Sequence, residues 1–149
     1  MKKNRKFRQG IFHPLRPEKY RGNVNQIIFR SGLELRAFKF MDCNPNILEW
    51  SSEETIIPYK NPLTGRVSRY FVDIYAKMKD KQGNVKKFLI EIKPHSQTLP
   101  PNQKQRNMKT LRYQQAEYIK NQAKWQSASE YCSKRDMNFV LLTEKHLGA

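Results

Sequence analysis

The stretch from Arg66 to Lys93 constrains this chain more than any other. Residues 66–78 (RVSRYFVDIYAKM) are rich in β-branched and aromatic side chains and predict a long strand. Lys79 to Asn84 is a polar loop containing Gly83, and residues 85–93 (VKKFLIEIK) return as the partner strand. Pro94 ends it, because proline cannot donate to a strand ladder. Alternate side chains of a strand share a face. Phe88, Ile90 and Ile92 therefore point one way, and Leu89, Glu91 and Lys93 the other. In the first strand Phe71, Asp73 and Tyr75 share one face, and Tyr70, Val72, Ile74 and Ala76 the opposite one. Pairing the strands brings Asp73 beside Glu91.

That juxtaposition is a chemical problem. Asp73 sits between Val72 and Ile74, and Glu91 between Ile90 and Ile92, so both carboxylates are costly to bury alone. Two neighbouring carboxylates also repel and raise each other's pKa unless a cation lies between them. A divalent metal resolves both costs. Magnesium takes one or two protein carboxylates and completes its shell with water and substrate phosphate oxygens. Lys93, on the same face as Glu91, is placed to stabilise negative charge building on a phosphate and to position an attacking water. A plain cross-strand ion pair between Asp73 and Lys93 is the alternative reading of the same residues.

The elements around the hairpin predict a mixed α/β domain. Residues 31–42 (SGLELRAFKFMD) read as a helix, with Ser31 as N-cap and Glu34 at the capping-box position. Asn44-Pro45-Asn46 ends it. Residues 47–50 and 54–59 read as short strands, and Asn61 to Gly65 as a turn. A long Gln-, Lys- and Ala-rich helical pattern covers 104–134, as one helix or two, and 137–143 (MNFVLLT) is a late buried strand. Trp50 and Trp125 are expected in the core. Residues 1–26 are expected to form an extended basic arm packed loosely on the body, with Pro14 and Pro17 breaking any helix. Residues 27–149 then form a single domain, a length that buries a sizeable core.

Charge narrows the partner. With 29 Lys and Arg against 13 Asp and Glu, the chain carries a formal net charge of +16. Such an excess attracts polyanions, and nucleic acid is the leading one. Lys2, Lys3, Arg5, Lys6 and Arg8 in the arm are candidate phosphate contacts. So are Arg106, Lys109 and Arg112, which recur every three residues on the long helix. No apolar run approaches the length of a membrane span, and no long basic amphipathic helix points to a membrane surface. Cys43 and Cys132 lack metal-ligand spacing and read as free thiols. The charge alone fits a non-catalytic DNA-binding or capsid-associated structural protein equally well. The carboxylates separate the two readings, since a pure binder gains nothing from buried acids facing a phosphate chain.

Val72-Asp73, a short hairpin, then Glu91-Ile92-Lys93 resembles the core motif of the PD-(D/E)xK nucleases. In that superfamily an acidic residue on the preceding helix completes the metal site, and Glu34 matches that position. The order is similar to that of the endonuclease subunit of heteromeric transposases and, over nearly the whole chain, to the head-completion nucleases of tailed phages. The resemblance implies a restriction-endonuclease-like mixed sheet flanked by helices. It implies DNA hydrolysis with Mg²⁺, or Mn²⁺ in its place, and Glu34, Asp73, Glu91 and Lys93 as catalytic residues. Asp73, Glu91 and Glu34 would be the metal ligands. It also implies a role in processing DNA ends during head completion, in the host cytoplasm or with the virion, and contact with head or portal proteins. Gln114 and Tyr118, four apart on the long helix, resemble an accessory Q-x-x-x-Y element of some of these nucleases. Two positions depart from the pattern. Val72 replaces the naming proline, and Glu91 stands where the transposase subunit carries Gln. The oligomeric state stays open between monomer and homodimer, since cutting both strands of a duplex takes two active sites.

Overall fold

The computed structural model describes residues 9–147. Its centre is a four-stranded sheet in the order β3 (Ile47–Ser52), β6 (Ile74–Lys79), β7 (Val85–Ile92), β8 (Asn138–Leu142). β3, β6 and β7 pair antiparallel, and β8 joins β7 in parallel after a crossover through α2 (Met108–Ser133). α1 (Gly32–Cys43) and the short pair β1 (Gly10–Ile11) and β2 (Ile28–Phe29) precede the sheet in sequence. The fold class is the expected mixed α/β, with a helix on each face of the sheet. Ala37, Phe38 and Met41 of α1 pack on Ile74, Ala76, Ile90 and Ile92. Trp125, Ala128 and Cys132 of α2 pack on Leu89 on the opposite face. The helical pattern of 104–134 is a single helix of 26 residues, capped by the Asn107 side chain, which accepts from Thr110 N–H at 3.1 Å.

The strand expected over 66–78 is two strands. β5 (Val67–Phe71) pairs with β4 (Ile56–Lys60), and β6 pairs with β3. Together they form one long hairpin that bends in the middle. Ser52 faces Ile74 and Ile56 faces Phe71, so residues 53–55 oppose only Val72 and Asp73. The extra residue makes a bulge, and Glu53 adopts φ 58° there. Backbone bonds close the bend, from Val72 N–H to Thr55 O at 3.0 Å and from Glu53 N–H to Asp73 O at 3.2 Å. The bend also corrects the expected alternation. Tyr70 and Val72 pack with α2, whereas Ile74 and Ala76 pack with α1.

The loosely packed arm is also corrected for its described part. Phe12 and Tyr20 are buried, and both rings lie against Trp50, with centroids 6.0 and 4.8 Å away. Asp42 is 1% exposed and accepts the N–H groups of Leu15 (2.8 Å) and Arg16 (3.0 Å). The Lys19 ammonium donates to the carbonyl oxygens of Met41, Asp42 and Asn44 at 2.8–2.9 Å, a cation placed at the negative end of α1. The Phe12 and Tyr20 rings, the Lys19 ammonium and the backbone of Leu15 and Arg16 seat this segment. Residues 1–8, with Lys2, Lys3, Arg5, Lys6 and Arg8, lie outside the described residues.

Candidate functional site

The β6–β7 ladder brings the two carboxylates together. Ile74 faces Ile90, so one step further Asp73 stands opposite Glu91. Asp73 has left the ladder at the bulge, and its Oδ2 accepts the Ile92 N–H at 2.8 Å. Glu91 is 6% exposed, on the same face as Leu89. The Tyr70 hydroxyl donates to its Oε2, and Lys93 Nζ lies 3.8 Å from its Oε1. Asp73, Glu91 and Lys93 therefore meet where β7 leaves the sheet.

The electrostatics follow from that packing. Burial holds the Asp73 carboxyl well above the ordinary carboxylate range, and the charge of Glu91 pushes it further; Glu34 adds to this, while Lys93 and the Ile92 N–H oppose it. Burial raises Glu91 as well, against the Tyr70 hydroxyl, Lys93 and Lys124. Tyr70 is raised by burial and by Glu91, so it stays a protonated donor. Lys124 of α2 packs over the Tyr70 and Tyr59 rings, 5.5 and 5.8 Å from their centroids, and burial and Lys120 lower its pKa.

Glu34 stands apart. Its backbone N–H donates to Ser31 Oγ at 3.0 Å, and its Oε2 accepts the Arg30 N–H at 2.7 Å. It serves α1 as a capping residue, one position removed from the usual box. Its charge reaches Asp73 and Arg30, but among the described residues no three His, Cys, Asp or Glu side chains gather as a metal cage. The donor set at the site is thus the Asp73–Glu91 pair. Two hard oxygen donors held together against mutual repulsion fit a magnesium-type cation, which needs only one or two carboxylates.

A cleft of about 960 Å³ opens beside Lys93, between the loop after β7 and the first half of α2. Gln114 and Tyr118 both line it with Lys93. Arg106, Lys109 and Arg112 are exposed around the start of α2 and do not line it. Both cysteines are free, and Trp50 and Trp125 are buried.

Tyr70, Lys124 and Arg30 are the residues that strand and helix patterns miss. Regular alternation puts Tyr70 on the α1 face with Ile74; only the bulge turns it toward Glu91. The signal was present as the polar run Ser51-Ser52-Glu53-Glu54, an unfavourable partner for an uninterrupted apolar strand. Arg30 pairs with Glu53 at the bulge and so ties the start of α1 to it.

Two comparisons with known proteins bear on a mixed sheet that carries such a carboxylate pair beside a lysine. The profile of the TnsA-like endonuclease N-terminal family matches residues 44–144, and the chain belongs to that family. It is also 39% identical over 145 residues to the head completion nuclease of Enterobacteria phage T4, across 94% of this chain and 93% of that protein. No helix among the described residues is long and apolar enough to cross a membrane.

Proposed function

We propose that the chain is a metal-dependent deoxyribonuclease that hydrolyses phosphodiester bonds at the Asp73–Glu91–Lys93 site. The observation that carries this reading is the buried carboxylate pair with Lys93 Nζ 3.8 Å from Glu91. In a chain of net charge +16, acids do not belong on a phosphate-facing surface unless a cation joins them. Asp73 and Glu91 would hold Mg²⁺, or Mn²⁺ in its place, and Glu34 would act at longer range or through water. The ion supplies Lewis-acid polarisation of the phosphate and a water of lowered pKa. The Ile92 N–H fixes one oxygen of Asp73, and Tyr70 fixes one oxygen of Glu91. Lys93 holds the phosphate and meets the charge that builds on it. The excess positive charge of the chain gathers DNA without reading its sequence.

The likeness to a head completion nuclease supports a role in processing DNA ends as a phage head is finished. Head or portal proteins would then be partners, and the host cytoplasm or the virion the place of action. Incubation with linear and circular DNA, in Mg²⁺ or in EDTA, tests the activity. Cleavage that needs Mg²⁺ and disappears in Asp73→Ala is expected. Retention of DNA without cutting, identical in both proteins, would instead favour the non-catalytic DNA-binding or capsid-associated reading.

A further inference from the structure

The cleft beside Lys93 has a lining that neither the carboxylate site nor the capture of phosphates accounts for. Five of its fifteen lining residues are carboxamides, Gln97, Asn102, Gln105, Gln114 and Asn121, and two are tyrosines. Its basic residues are Lys93 at the catalytic end and Lys104 in the loop. Glu117, its one acid, is paired with Lys120 at 2.8 Å. The Arg106, Lys109 and Arg112 cluster that would grip a backbone lies outside.

Asn121 is the buried one of these carboxamides. It is 6% exposed and lies on the cleft. A carboxamide at the wall of a cleft can pair with a group that enters it and offers both a donor and an acceptor, since the carboxamide carries both. Tyr113, 67% exposed, and Tyr118 line the same cleft. Carboxamides that match base edges and aromatic rings that stack on bases are the two devices by which proteins hold unpaired nucleotides. The cleft volume is that of a ligand pocket and too small for a duplex.

We propose that this cleft receives an unpaired nucleotide of DNA next to the phosphate held by Lys93. The base stacks on Tyr113 and Tyr118, and its edge pairs with Asn121 and Gln114. The substrate class is then a DNA end with a single-stranded overhang or a frayed terminus. This rests on the nuclease reading only for where the phosphate lies.

The test is binding in EDTA, where no cleavage occurs. Anisotropy with a labelled blunt hairpin duplex is compared with the same duplex carrying a short single-stranded overhang that contains 2-aminopurine. About tenfold tighter binding of the overhang is expected, in line with base–aromatic stacking, together with a change in 2-aminopurine emission. Tyr113→Ala, at an exposed position that leaves the core intact, and Tyr118→Ala are expected to remove the preference and the emission change while leaving affinity for the blunt duplex. Asn121→Ala, checked for an unchanged melting temperature, is expected to do the same. Equal affinity for both DNAs, or variants that weaken both equally, would overturn the proposal. Cleavage in Mg²⁺ is scored separately: a protein that prefers overhangs but never cuts sinks the nuclease reading and leaves the cleft, and the converse result does the reverse.

Discussion

The two faces of the central sheet are built to opposite rules. On the α1 face, Phe12, Phe38 and Trp50 pack ring to ring, with centroids 5.4–6.0 Å apart, over Ile74, Ala76, Ile90 and Ile92. On the α2 face, Leu89, Val72 and Trp125 share the interior with the Tyr70 hydroxyl, the Glu91 carboxyl and the stem of Lys124. Strand β7 serves both, since Ile90 and Ile92 look to one side and Leu89 and Glu91 to the other. The dry face supplies the rigidity against which the other can hold a charge out of water. The comparison predicts that substitutions on the α1 face change stability, whereas substitutions beside Glu91 change chemistry.

The largest effect expected is on the dry face. Phe38→Ala, at a residue 2% exposed, leaves a cavity and should cost about 3–5 kcal/mol of unfolding free energy. Denaturant melts measure it. DNA cleavage by the fraction that remains folded should keep the wild-type rate per molecule. A large fall in specific rate with little loss of stability would break the separation of the faces.

Next comes Lys93→Ala. The ammonium is partly exposed and lies 3.8 Å from Glu91, so its loss should leave the melting temperature nearly unchanged. Cleavage should fall about 10²–10³-fold, the usual cost of losing a group that meets developing charge. Full activity in this variant would remove Lys93 from the mechanism. Tyr70→Phe is milder and sharper. It keeps the ring between Val72 and α2 and deletes only the hydrogen bond to Glu91. Residues that orient a metal ligand contribute about 10–100-fold to metal affinity or activity. The expected result is a higher Mg²⁺ concentration for half-maximal cleavage with little change in the saturated rate. An unchanged Mg²⁺ dependence would mean that Glu91 needs no such support.

The contrast between the faces also explains what could be read from residue order. Alternation in Phe88 to Lys93 was enough to place Ile90 and Ile92 inside and Glu91 with Lys93 on the other face, because a strand buried on both sides cannot shift register without exposing one set. The meeting of Asp73 with Glu91 followed from the hairpin. The bend at 53–55 did not. The polar run Ser51 to Glu54 marks the place, but the bend depends on a one-residue mismatch between the two arms of the hairpin, which spacing within either arm does not encode, and it is what turns Tyr70 toward Glu91. Glu34 was legible as a capping residue because that role is local. Whether its charge adds to the metal site depends on how α1 stands over the sheet, which residue spacing does not determine. The anchoring of 9–26 was missed because Asp42 and the α1 carbonyls act as receptors only once the helix is in place.

The smallest effect expected is in pH, and it tests the cause of the carboxylate pair's tension. Burial and Glu91 raise the folded-state pKa of Asp73, so the folded protein binds a proton there more tightly than the unfolded chain, whose aspartate titrates near about 4. Where the folded form holds more protons, stability falls as pH rises. The penalty therefore begins near the unfolded value and grows until the folded carboxyl has ionised. Asp73→Asn keeps the acceptor for the Ile92 N–H and removes the charge. In EDTA the wild type and the variant should melt together at acid pH and separate toward neutrality, the variant higher by about 4 °C, the shift that roughly 1 kcal/mol produces in a domain of this size. Adding Mg²⁺ at neutral pH should close or reverse the gap, because only the wild type retains both charged ligands and gains binding energy in the folded state. A gap that ignores pH would mean that the two carboxylates are not under tension. A gap that ignores Mg²⁺ would mean that the pair binds no metal in the folded protein.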